Sequence, residues 1–231
     1  ERQVSRESSL AKMLTTWQAM VDASDSYTGD RRSVSGLVGG DGLKMRQYAI
    51  RGKAMSGGYV SEVIAEALSM AESNACMRRI VAAPTAGACG VLPAVLLPLC
   101  KYEELNQRQI LEALYVASGI GAVIAYRACI AGAAGGCQAE IGTASAMAAG
   151  ALVALRGGSG QQICHAVAMA LKNLLGLICD PVAGLVEVPC VKRNVIGAVN
   201  AVSAADMALA GIESRIPVDE VIDAMGEVGR R

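Results

Sequence analysis

The chain has 231 residues, enough to bury one large hydrophobic core. Its 21 basic and 21 acidic residues cancel, which argues against nucleic acid or an anionic membrane surface as a partner. Hydrophobic residues make up 53%, but with no Phe and one Trp the core must be packed from Ala, Val, Leu, Ile and Met, and the 26 glycines permit close helix contacts.

Taken in chain order, the pattern is helical. Residues 6–23 carry Leu10, Met13, Leu14, Trp17, Met20 and Val21 as one stripe. SGLVGGDGLK (35–44) reads as a glycine-rich loop, and helical spacing resumes over 59–74 with Val60, Val63, Ile64, Ala67, Leu68 and Ala71. Ile80 to Cys100 is a charge-free run of 21 residues, long enough to cross a bilayer. Pro84, Pro93 and Pro98 interrupt it and no aromatic belt or basic cluster flanks it, so a soluble chain with no membrane span is expected. Asn106 with Gln109 predicts a capping box opening a helix through Ile110, Leu111, Leu114 and Tyr115. Ser159 with Gln162 repeats that signal before Val167, Leu171 and Leu174. Residues 139–155 and 194–212 are small-residue, nearly uncharged helices expected at the centre, and Pro217 starts a last short helix through Val221, Ile222 and Met225. No alternating strand pattern occurs. The expected fold is a single all-α domain over 1–231 with buried Ala/Gly-rich central helices. The chain starts at Glu1 without methionine or signal peptide and is expected to be a piece of a longer cytoplasmic protein.

Eight cysteines and no CxxC pair in so apolar a chain point to a reducing compartment. Cys76, Cys100, Cys129 and Cys164 fall in apolar helical patterns, where a cysteine is expected to be a small buried hydrophobe. Cys137, Cys179 and Cys190 lie beside glycine or proline, where backbone geometry fixes the chain direction. Three stretches combine glycines with hydroxyl, charged or thiol groups: 35–44, APTAGACG (83–90) and GAAGGCQAEIG (132–142). Each leads into a helix whose free N–H groups suit a carboxylate or phosphate. Any one of them is accounted for by a tight turn between helices. Together with GLICDPVAGLVEVPCVKRN (176–194) they point to a binding site.

At this level the sequence becomes specific. GCQAEIGTASAMAAGAL (136–152), LKNLLGLICDPVAGLVEVPCVKRN (171–194) and AADMALAGIESRIPVDEVIDAM (204–225) closely resemble the α subunit, or α domain, of bacterial iron–sulfur-dependent L-serine dehydratase. The two N-terminal glycine loops are similar to that family's, and the resemblance runs from about Ser35 to Met225. It implies an all-helical lyase domain with a [4Fe–4S] cluster on three cysteines, which matched motif by motif are Cys137, Cys179 and Cys190. It further implies an iron left open as Lewis acid for the β-hydroxyl of L-serine, yielding pyruvate and ammonia. It also implies a β subunit or fused β domain that is absent from this chain.

Substrate contacts are expected from the glycine loops, at Ser35, Gly39, Gly40, Asp41, Lys44, Thr85 and Gly87, with Asp180, Lys192 and Asn194 as the polar surround of the cluster. The base is unassigned. His165, the only histidine, sits in an apolar helix and is expected to be structural, while Lys44, Lys53, Lys172 and Lys192 would each need burial or a cationic neighbour to serve. The β partner is the remaining source of acid–base groups. Homo- or hetero-oligomers are expected. The alternatives are a cluster-dependent cysteine desulfidase, a pyridoxal-phosphate lyase, disfavoured for want of a Schiff-base lysine near a phosphate loop, and a zinc-stabilised scaffold using three cysteines and His165.

Overall fold

A computed structural model describes residues 4–230. Its elements are α1 (Arg6–Asp25), α2 (Asp41–Ile50), α3 (Gly57–Ala75), α4 (Val91–Tyr102), α5 (Gln107–Arg127), α6 (Gly132–Cys137), α7 (Thr143–Leu155), α8 (Gly160–Asn173), α9 (Val188–Leu209) and α10 (Val218–Gly229). A 3-10 turn at Ala86–Ala88 precedes α4, and a π-helical turn at Gln138–Gly142 joins α6 to α7. The only extended pairing among the described residues is an isolated bridge between Val182 and Leu185.

Both expected capping boxes form. Asn106 accepts from the Gln109 amide at 3.0 Å and Ser159 from the Gln162 amide at 3.2 Å, with each glutamine side chain bonded back to its cap. Helix α7 is the centre: every residue from Thr143 to Val153 is buried. That requires small side chains, and Gly150 shows why, since a Cβ there would lie 2.2 Å from Ile120 Cδ1 on α5. Helices α4, α5, α8 and α9 pack around α7, and α3 covers α4 and α9.

The structure departs from the sequence-based expectations at four places. Residues 41–50 are helical rather than the tail of a loop, because Glu72 of α3 caps them from outside the local sequence. The 132–142 stretch is almost wholly helical, broken only at Gly136, whose φ of 80° a side chain would strain. Helix α9 begins at Val188 instead of 194, so Cys190 stands in its first turn, and Pro189 serves as a helix starter. The apolar run from Ile80 to Cys100 is helical only from Val91, and α4 is buried. The one described helix long and apolar enough to cross a membrane is α5, whose Ile110, Leu114, Ala117, Gly121 and Ile124 face the core.

Candidate active site

The three singled-out cysteines come from three separate segments. Cys137 ends α6 and is 2% exposed, Cys190 is 9% exposed, and Cys179 is exposed on the irregular segment before α9. They nevertheless lie within electrostatic reach of one another. Burial pushes the Cys190 thiol up to about 11, and repulsion from Cys137, Glu140 and Cys179 adds to it. Burial also raises Cys137, against the pull of the Arg193 guanidinium.

Arg193 physically joins this group. One turn beyond Cys190, its Nη1 donates to Cys137 Sγ at 3.0 Å and to the Ile178 carbonyl at 3.2 Å, and it pairs with Asp180. A single guanidinium therefore ties the end of α6 to both neighbours of Cys179. Its partners lie in distant segments, so no local pattern marks it. Asn194, the next residue, is fully buried. Its Nδ2 donates to the Gly87 carbonyl at 2.7 Å and the Cys190 carbonyl at 2.9 Å, while its Oδ1 accepts from the Gly90 amide at 2.9 Å. That fixes the second glycine stretch to the first turns of α9.

Glu140, which the sequence reading also passed over, lies in the π-helical turn, a distortion frequently found at functional sites. Its carboxylate accepts from the Thr85 hydroxyl. A Cβ on Gly87 would sit 2.7 Å from one carboxylate oxygen, so glycine is what lets the 83–90 stretch close over it.

The first glycine stretch reaches the same face by another route. Ser33 and Ser35 donate to Glu187, the residue before α9, the former at 2.9 Å. Asp41 meets Lys192 at 2.7 Å and Lys44 at 3.0 Å. Together these lysines hold the Asp41 carboxyl below the usual range. The expectation of free amides here is corrected: Gly40, Asp41 and Gly42 donate to buried Glu72 at 3.1, 2.8 and 3.3 Å, so the helix start is saturated by the chain's own carboxylate. Gly39 contributes a left-handed turn with φ of 135°. Lys44 is solvent-exposed, and His165 is engaged away from the thiols, its Nδ1 accepting from the Ser214 amide at 3.2 Å. The remaining cysteines are also corrected. Cys76, Cys100 and Cys129 are only partly buried and Cys164 is exposed on α8, whereas Cys89 is fully buried.

Among the described residues, no group of three or more His, Cys, Asp or Glu side chains is close enough to hold a single metal ion. A tetrahedral thiolate site with metal–sulfur bonds of about 2.3 Å would need thiols within about 4 Å of each other. A polynuclear group, in which each ligand attaches to a different metal atom, does not require that closeness. The donors are all sulfur, one of them already accepting from a guanidinium that offsets part of its burial penalty, and such a group fits them. The site itself is open, because residues 178–186 are all exposed. A cavity of about 570 Å³ lies elsewhere, between α1, α2, α3 and α4, and is lined by no thiol or histidine.

Fold and site thus define an all-helical domain that gathers thiols, one arginine and a carboxylate on an open face. The family model described as serine dehydratase alpha chain matches residues 1–231, and the chain belongs to that family. It is 52% identical over 198 residues to the probable L-serine dehydratase alpha chain of Bacillus subtilis (strain 168), covering 86% of this chain and 66% of that protein. To the L-serine dehydratase alpha chain of Peptoniphilus asaccharolyticus it is 48% identical over 193 residues, 84% of this chain and 66% of that one. To L-serine dehydratase 2 of Escherichia coli (strain K12) it is 49% identical over 166 residues, 71% of this chain but 36% of the longer relative. The chain therefore spans two thirds or less of the length of these relatives.

Proposed function

We propose that this chain is the thiolate-bearing part of an L-serine ammonia-lyase, in which Cys137, Cys179 and Cys190 hold a [4Fe–4S] cluster. The observation that carries the reading is that Arg193 bonds Cys137 and both neighbours of Cys179 while Cys190 is electrostatically coupled to both thiols, in a chain whose relatives are named L-serine dehydratases. When bound by three cysteines, such a cluster supplies an iron with an open position that acts as a Lewis acid. The chain's own residues do the positioning. Arg193 favours the thiolate form of Cys137 and, through Asp180 and the Ile178 carbonyl, sets where Cys179 stands. Asn194 holds the 87–90 backbone against α9, and Thr85 orients Glu140.

Dehydration of L-serine removes the α-proton and expels the β-hydroxyl; the enamine that results tautomerises and is hydrolysed to pyruvate and ammonia. No lysine in this site is free to act as the base, since Lys44 and Lys192 are both committed to Asp41. We infer that a β subunit or β domain supplies it and covers the open face, where Ile178, Val182, Leu185, Val186 and Val188 are all exposed. Anaerobic reconstitution with iron and sulfide, then assay of pyruvate from L-serine with and without a β partner, tests the reading. Turnover is expected only with the partner. Absence of turnover in the reconstituted complex refutes the assignment, and full turnover without a partner refutes the shared site.

A further inference from the structure

Of the carboxylates around the thiols, Glu140 has the fewest partners. Asp41 is neutralised by Lys44 and Lys192, and Asp180 by Arg193. Glu72 is surrounded by three amides and the Tyr27 hydroxyl, and Glu187 by two serine hydroxyls. Glu140 has the Thr85 hydroxyl on one oxygen and, among the described residues, no ion pair. It nonetheless stands close enough to Cys137 and Cys190 to push both thiols toward the neutral form. The fold has gone out of its way to keep it there. Cβ atoms at Gly87 and Gly132 would come within 2.7 and 2.9 Å of its carboxylate oxygens, so two separate backbone segments have given up side chains to accommodate it.

A half-buried carboxylate beside the Cys137 and Cys190 thiols is electrostatically unfavourable until a compact cation joins it. The α-ammonium of an amino acid is such a cation, with three donors and no bulk. We propose that Glu140 receives the α-ammonium group of the substrate and so selects α-amino acids over their des-amino analogues. This rests on the lyase reading above. The Thr85 hydroxyl holds one oxygen, leaving the other, beside Gly132, for the ammonium.

The test uses the reconstituted complex with its β partner. In wild type, 3-hydroxypropanoate, which lacks the amine, is expected to inhibit far more weakly than L-serine binds; equal affinity overturns the proposal. Glu140→Gln keeps the Thr85 bond but removes the charge. It is expected to raise KM for L-serine about 10- to 100-fold, the usual weight of a hydrogen bond to a charged group, with iron and sulfide content and visible absorption unchanged. Glu140→Asp is expected to recover part of the affinity, which a purely steric role would not. An unchanged KM in Glu140→Gln, or a rise accompanied by loss of iron, overturns the proposal. A wild-type complex that does not act on L-serine at all defeats the lyase reading instead, so the two failures are distinct.

Discussion

Asn194→Ala would remove three hydrogen bonds that no water can replace, because the side chain is fully buried. The Gly90 amide, itself buried, loses its acceptor, and the Gly87 and Cys190 carbonyls lose a donor. An orphaned buried group costs about 1–3 kcal/mol. Two substantially orphaned groups plus the small void left by the amide give a loss of about 3–5 kcal/mol. With a urea m-value of roughly 3 kcal/mol/M, the upper end for small proteins, the unfolding midpoint should fall by about 1–1.7 M with m unchanged. Asn194→Asp keeps the acceptor for Gly90 but sets a charge against two carbonyls, and should be no milder. A midpoint within about 0.3 M of wild type for Asn194→Ala would refute the claim that this residue pins the second glycine stretch to α9.

Other consequences follow from the same geometry. Glu72→Gln turns an NH2 toward the amides of residues 40–42 and the Tyr27 hydroxyl, and should cost about 3 kcal/mol, read by calorimetry as a melting temperature lower by about 6–12 °C. Arg193→Lys withdraws the Nη1 group that meets all three acceptors, and should speed iron loss to a chelator by about tenfold or more; an unchanged rate would remove Arg193 from the socket. Burial pushes the Cys89 thiol up to about 12 from an ordinary value near 9. Its contribution to stability is therefore complete below pH 9 and is lost as pH rises toward 12, since the unfolded chain releases that proton first. Cys89→Ala should flatten this alkaline limb in pH-dependent denaturation of the chain.

The helices marked by local chemistry were legible from sequence: the Asn106–Gln109 and Ser159–Gln162 caps act within one turn, and both formed. Helix α2 was not, because Gly39, Gly40 and Gly42 dominate its start and its cap, Glu72, lies about thirty residues on. The first turn of α9 was hidden by Pro189, whose missing amide breaks a helix interior yet suits a helix start. The cysteines could be singled out by their glycine and proline neighbours. Arg193 and Glu140 could not, since their roles come from partners as far away as Cys137 and Thr85. The saturation of the first glycine stretch by Glu72 is likewise a tertiary fact, and it moves the expected substrate contacts toward Thr85, Gly87 and Glu140.

The most direct test of the central claim is iron and sulfide content after anaerobic reconstitution. Wild type should bind about four of each per chain, as a cubane cluster requires. Cys137→Ser, Cys179→Ser and Cys190→Ser should each abolish or sharply reduce both, while Cys100→Ser, on α4 away from the site, should retain them. Unchanged iron and sulfide in the three site variants would contradict the account.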